Sequence, residues 1–296
     1  MPAPDTPRIT SRHQCGQIFP IPGRPSHAIT TYRCIANLQR KKPVAIPTQA
    51  EIEDKLRGED LDAWLDLWHA EQGPAKPGAL KVIAAVIPFP IDQSLRVLDV
   101  GCGPGDAGRA IHSRFPHARI DSVDRNEFFV SLCGAVNRRD GIGGRTWARD
   151  LSEPNWRRDL ASDYQVVVAV NSVHWFSLAE AAGLFSGIFQ SLRSGGVFLL
   201  MEPAGVEPPF ASGFDAWRKE QPSQHKYEDW RRFWSRVDAL LGYDYGFLGD
   251  PPDNQNRIGD GLSAMRWVGL LADAGFRSID ILLRDGEKVV LASVKP

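Results

Sequence analysis

The stretch RVLDVGCGPGDAG, residues 96–108, joins an apolar run to four glycines at 101, 103, 105 and 108. Glycines let backbone approach a ligand closely, and a helix that follows them offers unpaired N–H groups and the positive end of its dipole. That is nucleotide-binding chemistry. Two patterns overlap in it. Gly103-Pro104-Gly105-Asp106-Ala107-Gly108 fits G-x-G-x-x-G, a dinucleotide fingerprint, whereas Asp99 with Gly101, Gly103 and Gly105 fits acid-x-G-x-G-x-G. The first implies a redox enzyme and the second a group-transfer enzyme.

The acids favour the second. Asp99 precedes the glycines and Asp106 follows them, and two carboxylates beside a pyrophosphate would repel it. They would favour a ligand with a sulfonium and an α-ammonium, a description that fits S-adenosylmethionine. Asp124, after the next apolar run, suits ribose hydroxyls in either ligand class and does not discriminate.

Several motifs in order resemble the class I, seven-stranded S-adenosylmethionine-dependent methyltransferases of small-molecule type. VLDVGCGPG is similar to the family's glycine motif, VD at 123–124 to its ribose-binding acid, and RDL at 149–151 to its adenine-contacting segment. VVVAVNSVHW resembles the motif after strand four, and LRSGGVFLLMEP the turn into strand five. The resemblance runs from about Arg96 to the C-terminus. It implies that Gly101, Gly103 and Gly105 line the methionine part, with Asp99 beside them. Asp124 would bind ribose, Asp150 would meet the adenine amine with Leu151 flanking the ring, and Asn171 would sit near the transferable methyl.

Methyl transfer is an in-line displacement, so alignment and water exclusion matter most and a base is optional. His174 is a candidate base toward a hydroxyl, since imidazole titrates near neutrality. His174-Trp175 also resembles a segment that contacts a substrate carboxylate, and a carboxylate needs no base. Both oxygen acceptors stay open. Trp68, Trp230, Trp234 and Trp175 are candidate walls of an acceptor pocket. No cluster of carboxylates accompanies Asn171, so no metal is expected. The rival readings are a nicotinamide-dependent oxidoreductase and a non-catalytic, methyltransferase-like binding protein.

An α/β fold must position these residues: a seven-stranded, mostly parallel sheet with a C-terminal antiparallel hairpin, helices on both faces and a helical lid insert. Strands are predicted at 95–100, 118–124, 145–150, 164–171 and 195–203, alternating with helices at 106–114, 126–138 and from the Ser177–Glu180 capping box to Leu192. FRSIDILL and EKVVLASVK, separated by RDGE, predict the closing hairpin, and Gly275 a helix end. Residues 1–47 read as a flexible tail and 48–93 as lid helices: Leu61, Trp64, Leu65 and Trp68 keep helical spacing, and a second helix is expected over 79–89. The core then spans 94–296. An insert at about 204–260 has its own helical stripe of Tyr227, Trp230, Trp234, Val237 and Leu241; its aromatics also include Trp217, Tyr243 and Tyr245.

With 35 basic against 36 acidic residues, the chain has no global field to draw it to nucleic acid or to an anionic membrane. Neither partner is expected. The NPPY or DPPY tetrads of amino-methylating nucleic-acid enzymes and the Pro-Cys pair of cytosine-carbon enzymes are absent. No apolar run is long enough to span a bilayer, and four cysteines without C-x-x-C spacing read as reduced thiols. The expectation is a cytoplasmic enzyme for a small-molecule acceptor, its oligomeric state not readable.

Overall fold

The computed structural model describes residues 47–72, 75–220, 227–242, 244, 257–259, 261–286 and 288–296. The expected tail up to residue 46, with Cys15 and Cys34, and Tyr243 and Tyr245 of the insert lie outside the described residues, as does the side chain of Tyr227. Among those described, no helix is long and apolar enough to cross a membrane.

In chain order the strands are β1 (Arg96–Val100), β2 (Arg119–Asp124), β3 (Thr146–Ala148), β4 (Tyr164–Val170), β5 (Leu192–Pro203), β6 (Arg277–Asp285) and β7 (Lys288–Val294). They form one sheet in the order β3-β2-β1-β4-β5-β7-β6. The first five are parallel, and β7 runs antiparallel to both β5 and β6. The seven strands and closing hairpin expected from the sequence are present.

Apolar residues on successive strand positions serve opposite faces, as the pleat requires. Val97, Val166, Val168, Val197 and Leu199 meet helices α3 (Ala75–Ala85) and α4 (Asp106–Arg114). Leu98, Val167, Ala169, Phe198 and Leu200 meet α6 (Leu178–Ser191) and α9 (Ala264–Asp273). The Ser177–Glu180 capping box opens α6, and Gly275 follows the end of α9 at φ +104°.

The structure moves several boundaries. The second early helix starts at Ala75 and ends at Ala85, because Pro88 disfavours helical backbone at Ile87. Strand β5 begins at Leu192, three residues before the expected start. Leu192 pairs with Tyr164, the register then shifts, and the Gly195 N–H donates to the Lys295 carbonyl. An unforeseen helix, α1 (Gln49–Leu56), opens on a Thr48–Glu51 capping box.

A third apolar cluster lies away from the sheet. Helices α1, α2 (Leu61–Gln72) and α8 (Tyr227–Leu241) pack on α5 (Glu127–Arg139) through Trp64, Trp68, Phe128, Phe129, Phe233 and Trp234. The N-terminal helices α1 and α2 and the insert helix α8 therefore share one seam. Helix α3 belongs to the sheet face instead. Phe233, which the sequence stripe passed over, is wholly buried and lies 5.4–6.1 Å from the rings of Trp64, Trp68, Phe128, Phe129 and Trp234 at all but one contact, the closest being Trp234 at 5.3 Å. Phe233→Ala is expected to lower unfolding free energy by about 3–5 kcal/mol, read by urea denaturation, because the cavity cannot close among rigid rings.

Candidate active site

Strand order reverses between β1 and β4, so their connections leave on opposite sides and open a crevice at their carboxyl ends. The two turns there touch. Gly101 has φ +66°, and a Cβ on it would stand 2.3 Å from the Ser172 Cβ. Ser172 in turn donates its hydroxyl to the Val100 carbonyl at 3.2 Å. Gly105, at φ +89°, would press a Cβ to 2.8 Å from the Cys133 Sγ. Only glycine fits either place.

Asp124 ends β2 and holds this turn. Its Oδ2 accepts the Gly103 N–H at 2.9 Å and its Oδ1 the Asn126 N–H at 2.9 Å. Each oxygen keeps a further lone pair, which suits it to accept two ribose hydroxyls. Burial pushes the Asp124 carboxyl up, opposed by those N–H groups. The turn of left-handed glycines, the acid at the end of β2 and the amino end of α4 together fit S-adenosylmethionine.

The flanking carboxylates behave differently from the electrostatic expectation. Asp106 is buried and does not offer its charge to a ligand. Lys76 Nζ stands 2.8 Å from its Oδ2, His69 Nε2 2.9 Å from its Oδ1, and the Trp68 indole N–H donates to Oδ2 at 3.1 Å. The Arg109 guanidinium completes the set. Burial alone would raise this carboxyl, but Lys76, His69 and Arg109 outweigh it and hold it well below the usual carboxylate range. Asp99 accepts the Gly108 N–H at 3.1 Å, and burial, with Asp106 and Asp124 nearby, pushes it up to about 7. Both acids brace the turn, Asp99 through the Gly108 N–H and Asp106 through its ties to Lys76, His69 and Trp68.

At the end of β4, Asn171 takes a left-handed backbone, φ +51°, and donates its N–H to the Met201 carbonyl at 2.8 Å. A short 3-10 turn, Val173–Trp175, follows. Glu202 of β5, wholly buried, gathers this segment. Its Oε1 accepts the N–H groups of Ser172 and Val173 at 2.9 and 2.6 Å. Its Oε2 faces the His174 N–H at 3.3 Å and the His174 Nδ1 at 2.7 Å. Residues 257–259 cover the other side: the Ile258 and Gly259 N–H groups donate to Phe176 and His174 carbonyls, and Arg257 lies over the Trp175 ring at 5.0 Å. Glu202 was absent from the sequence-based site. Its signal was a lone acid closing the apolar run FLLM.

The remaining expected residues are distributed. The Arg149 N–H bonds the Asp124 carbonyl at 2.8 Å, bringing the RDL segment to the same edge. Asp150 there accepts the Ser152 N–H and hydroxyl at 2.9 and 2.7 Å, and Leu151 is buried in the core. Trp68 is buried near the glycine turn, 3.8 Å from where a Gly103 Cβ would stand. Trp234 is buried in the helical seam with the half-buried Trp230 at 5.5 Å, so both pack helices together. Cys102 meets Cys133, and this contact with burial pushes the Cys102 thiol well up.

The seven-stranded sheet with its antiparallel closing hairpin is the Rossmann-like methyltransferase fold. Residues 97–196 match a family model described as a methyltransferase domain, and that segment of the chain is one. Trans-aconitate 2-methyltransferase of Acidovorax sp. (strain JS42) is 28% identical over 113 residues, 38% of this chain and 40% of that protein. The enzyme of the same name from Azoarcus sp. (strain BH72) is 25% identical over 152 residues, 50% and 54% of the two chains. The chain thus spans about half the length of the curated relatives it matches. A solved Nostoc punctiforme PCC 73102 protein, assigned as an O-methyltransferase, superposes with TM-score 0.50 at 19% identity, over 74% of this chain and 56% of that one, a likeness of fold.

Two stability effects follow. Lys76→Ala leaves the buried Asp106 charge with Arg109, His69 and the Trp68 N–H but without its buried cation, and is expected to cost about 1.5–3 kcal/mol at neutral pH, measured by urea denaturation. The pairing contributes above the unfolded Asp value of about 3.9 and is lost as pH falls through the depressed folded value. Asp99 has the opposite sign. Its folded value lies above the unfolded one, so the folded chain holds more protons between about pH 4 and 7 and Asp99 lowers stability as pH rises through that window. Asp99→Asn, which keeps an acceptor for Gly108, should gain on the wild type by on the order of a few kcal/mol between pH 4.5 and 7.5.

Proposed function

We propose that the protein is an S-adenosylmethionine-dependent methyltransferase that acts on an oxygen, carboxylate or hydroxyl, of a small organic acceptor. The observation that carries this reading is the glycine turn locked to Asp124 at the strand reversal, with His174 held across the crevice by Glu202. The trans-aconitate 2-methyltransferase relatives support a small acidic acceptor. The near balance of charge supports a partner other than nucleic acid or membrane, and we place the activity in the cytoplasm.

When bound, S-adenosylmethionine supplies a methyl group on a sulfonium sulfur. Asp124 would accept the ribose hydroxyls, the turn of Gly101, Gly103 and Gly105 would hold the methionine part, and Asp150 with Leu151 would border the adenine. Asn171, at the end of β4, would stand beside the methyl. His174 takes a proton from a hydroxyl acceptor, and Trp175 with the helical seam of Trp68, Trp230 and Trp234 walls the site from water. No metal takes part in this reading.

S-adenosylhomocysteine at about 100 times its Kd is expected to stabilise the fold by about 2.7 kcal/mol and raise Tm, while NAD(H) and NADP(H) leave it unchanged. A shift with the nicotinamides alone would favour the oxidoreductase. Asp124→Ala should weaken the S-adenosylhomocysteine shift, and radiolabelled methyl transfer to a metabolite pool separates an enzyme from a binding protein.

A further inference from the structure

We infer that Glu202 is a positioning residue that fixes the tautomer of His174, and that the acceptor of this site is a hydroxyl group. The inference rests on the methyltransferase reading and narrows it. Glu202 is wholly buried, with four recorded contacts: the Ser172, Val173 and His174 N–H groups and the His174 Nδ1. Three of the four are backbone donors whose polarity is fixed. Three fixed donors shared between the two oxygens suit an ionised carboxylate, whose oxygens only accept. The Nδ1 of His174 must then carry hydrogen and donate to Oε2 at 2.7 Å, which leaves the lone pair of the neutral ring on Nε2.

A ring held so is a base with one available nitrogen. Its backbone is pinned from both sides, by Glu202 on its own N–H and by the Gly259 N–H on its carbonyl at 2.9 Å. Its side chain is 17% exposed, so it is neither buried in the core nor loose. An ionised carboxylate acceptor has no proton to give and gains nothing from this arrangement. A hydroxyl does. Its proton passes to Nε2 as an oxygen lone pair forms the new bond to the methyl carbon. The carbon–sulfur pair stays on sulfur, leaving a neutral thioether. The imidazolium keeps its Nδ1–H on Glu202 and sheds the Nε2 proton to solvent afterwards. The charged groups recorded beside His174 are Glu202 on β5 and, across the Trp175 ring, Arg257. Glu202 stabilises the imidazolium as it forms.

The test reads the ring directly. Long-range proton–nitrogen correlation spectra of histidine-labelled protein, saturated with S-adenosylhomocysteine and with the His174 signals assigned by their loss in His174→Ala, should show Nδ1 protonated and Nε2 bare in the neutral ring. In Glu202→Gln the amide oxygen goes to the Ser172 and Val173 N–H groups and the NH2 meets Nδ1, so the proton should move to Nε2. An Nε2–H tautomer in the wild type overturns the assignment, as does a Glu202→Gln spectrum unchanged from it. If Glu202→Gln fails to fold, the wild-type spectrum still decides. Labelled methyl transfer is then compared between catechol and trans-aconitate as probes and over a pool of hydroxyl compounds and carboxylic acids. Turnover should favour hydroxyls and drop about 10²–10⁴-fold in His174→Ala. Turnover confined to carboxylic acids, or indifferent to His174→Ala, overturns the hydroxyl assignment and leaves the transferase standing. Absence of any S-adenosylhomocysteine shift overturns the transferase reading itself.

Discussion

The contact between the turn after β1 and the turn after β4 governs the rest of the molecule. The strand order reverses between these neighbours, so two loops that leave in opposite directions must share the crevice at their common edge. They share it with no space to spare, Gly101 against Ser172, and every residue given a functional role is referred to that contact. Asp124 fixes the first turn from β2, and Glu202 fixes the second from β5. Shifting either turn would move Asp124 and His174 relative to each other, and the proposed in-line transfer would tolerate little of that.

Buried carboxylates do the fixing, and the protein meets their desolvation in three ways. Asp106 is paired with Lys76 and Arg109, so its charge is offset and α2, α3 and α4 are tied together. Asp99 accepts the Gly108 N–H, which does not offset its burial, and its carboxyl rises to about 7. Glu202 draws on three backbone N–H donors, whose polarity cannot reverse. The last arrangement passes an orientation to a neighbouring ring, whereas the first two hold the glycine turn in place.

The helical seam shows where sequence patterns lose resolution. Trp64, Leu65 and Trp68 announced α2, and the stripe of Trp230, Trp234, Val237 and Leu241 announced α8. Neither stripe says what it faces. In the structure the two face each other and α5, so aromatics that read as pocket walls are in large part packing between helices. Phe233 adjoins Trp234 in sequence and off its stripe, yet it is the ring that the others surround, because the seam is approached from three helices at once.

The sequence alone determined the sheet and the cofactor edge. Alternating strand and helix patterns, the capping box at Ser177, Gly275 and the short RDGE connection are local signals, each set by backbone preference or periodicity over a few residues. The glycine turn and Asp124 were legible for the same reason, since φ above zero demands glycine within the motif itself. Only the tertiary structure decided which charges are spent and which are available. Asp106 meets Lys76 thirty positions earlier, and Glu202 meets His174 twenty-eight positions earlier. Pairings at that separation depend on how strands and helices lie side by side, and no local pattern encodes them.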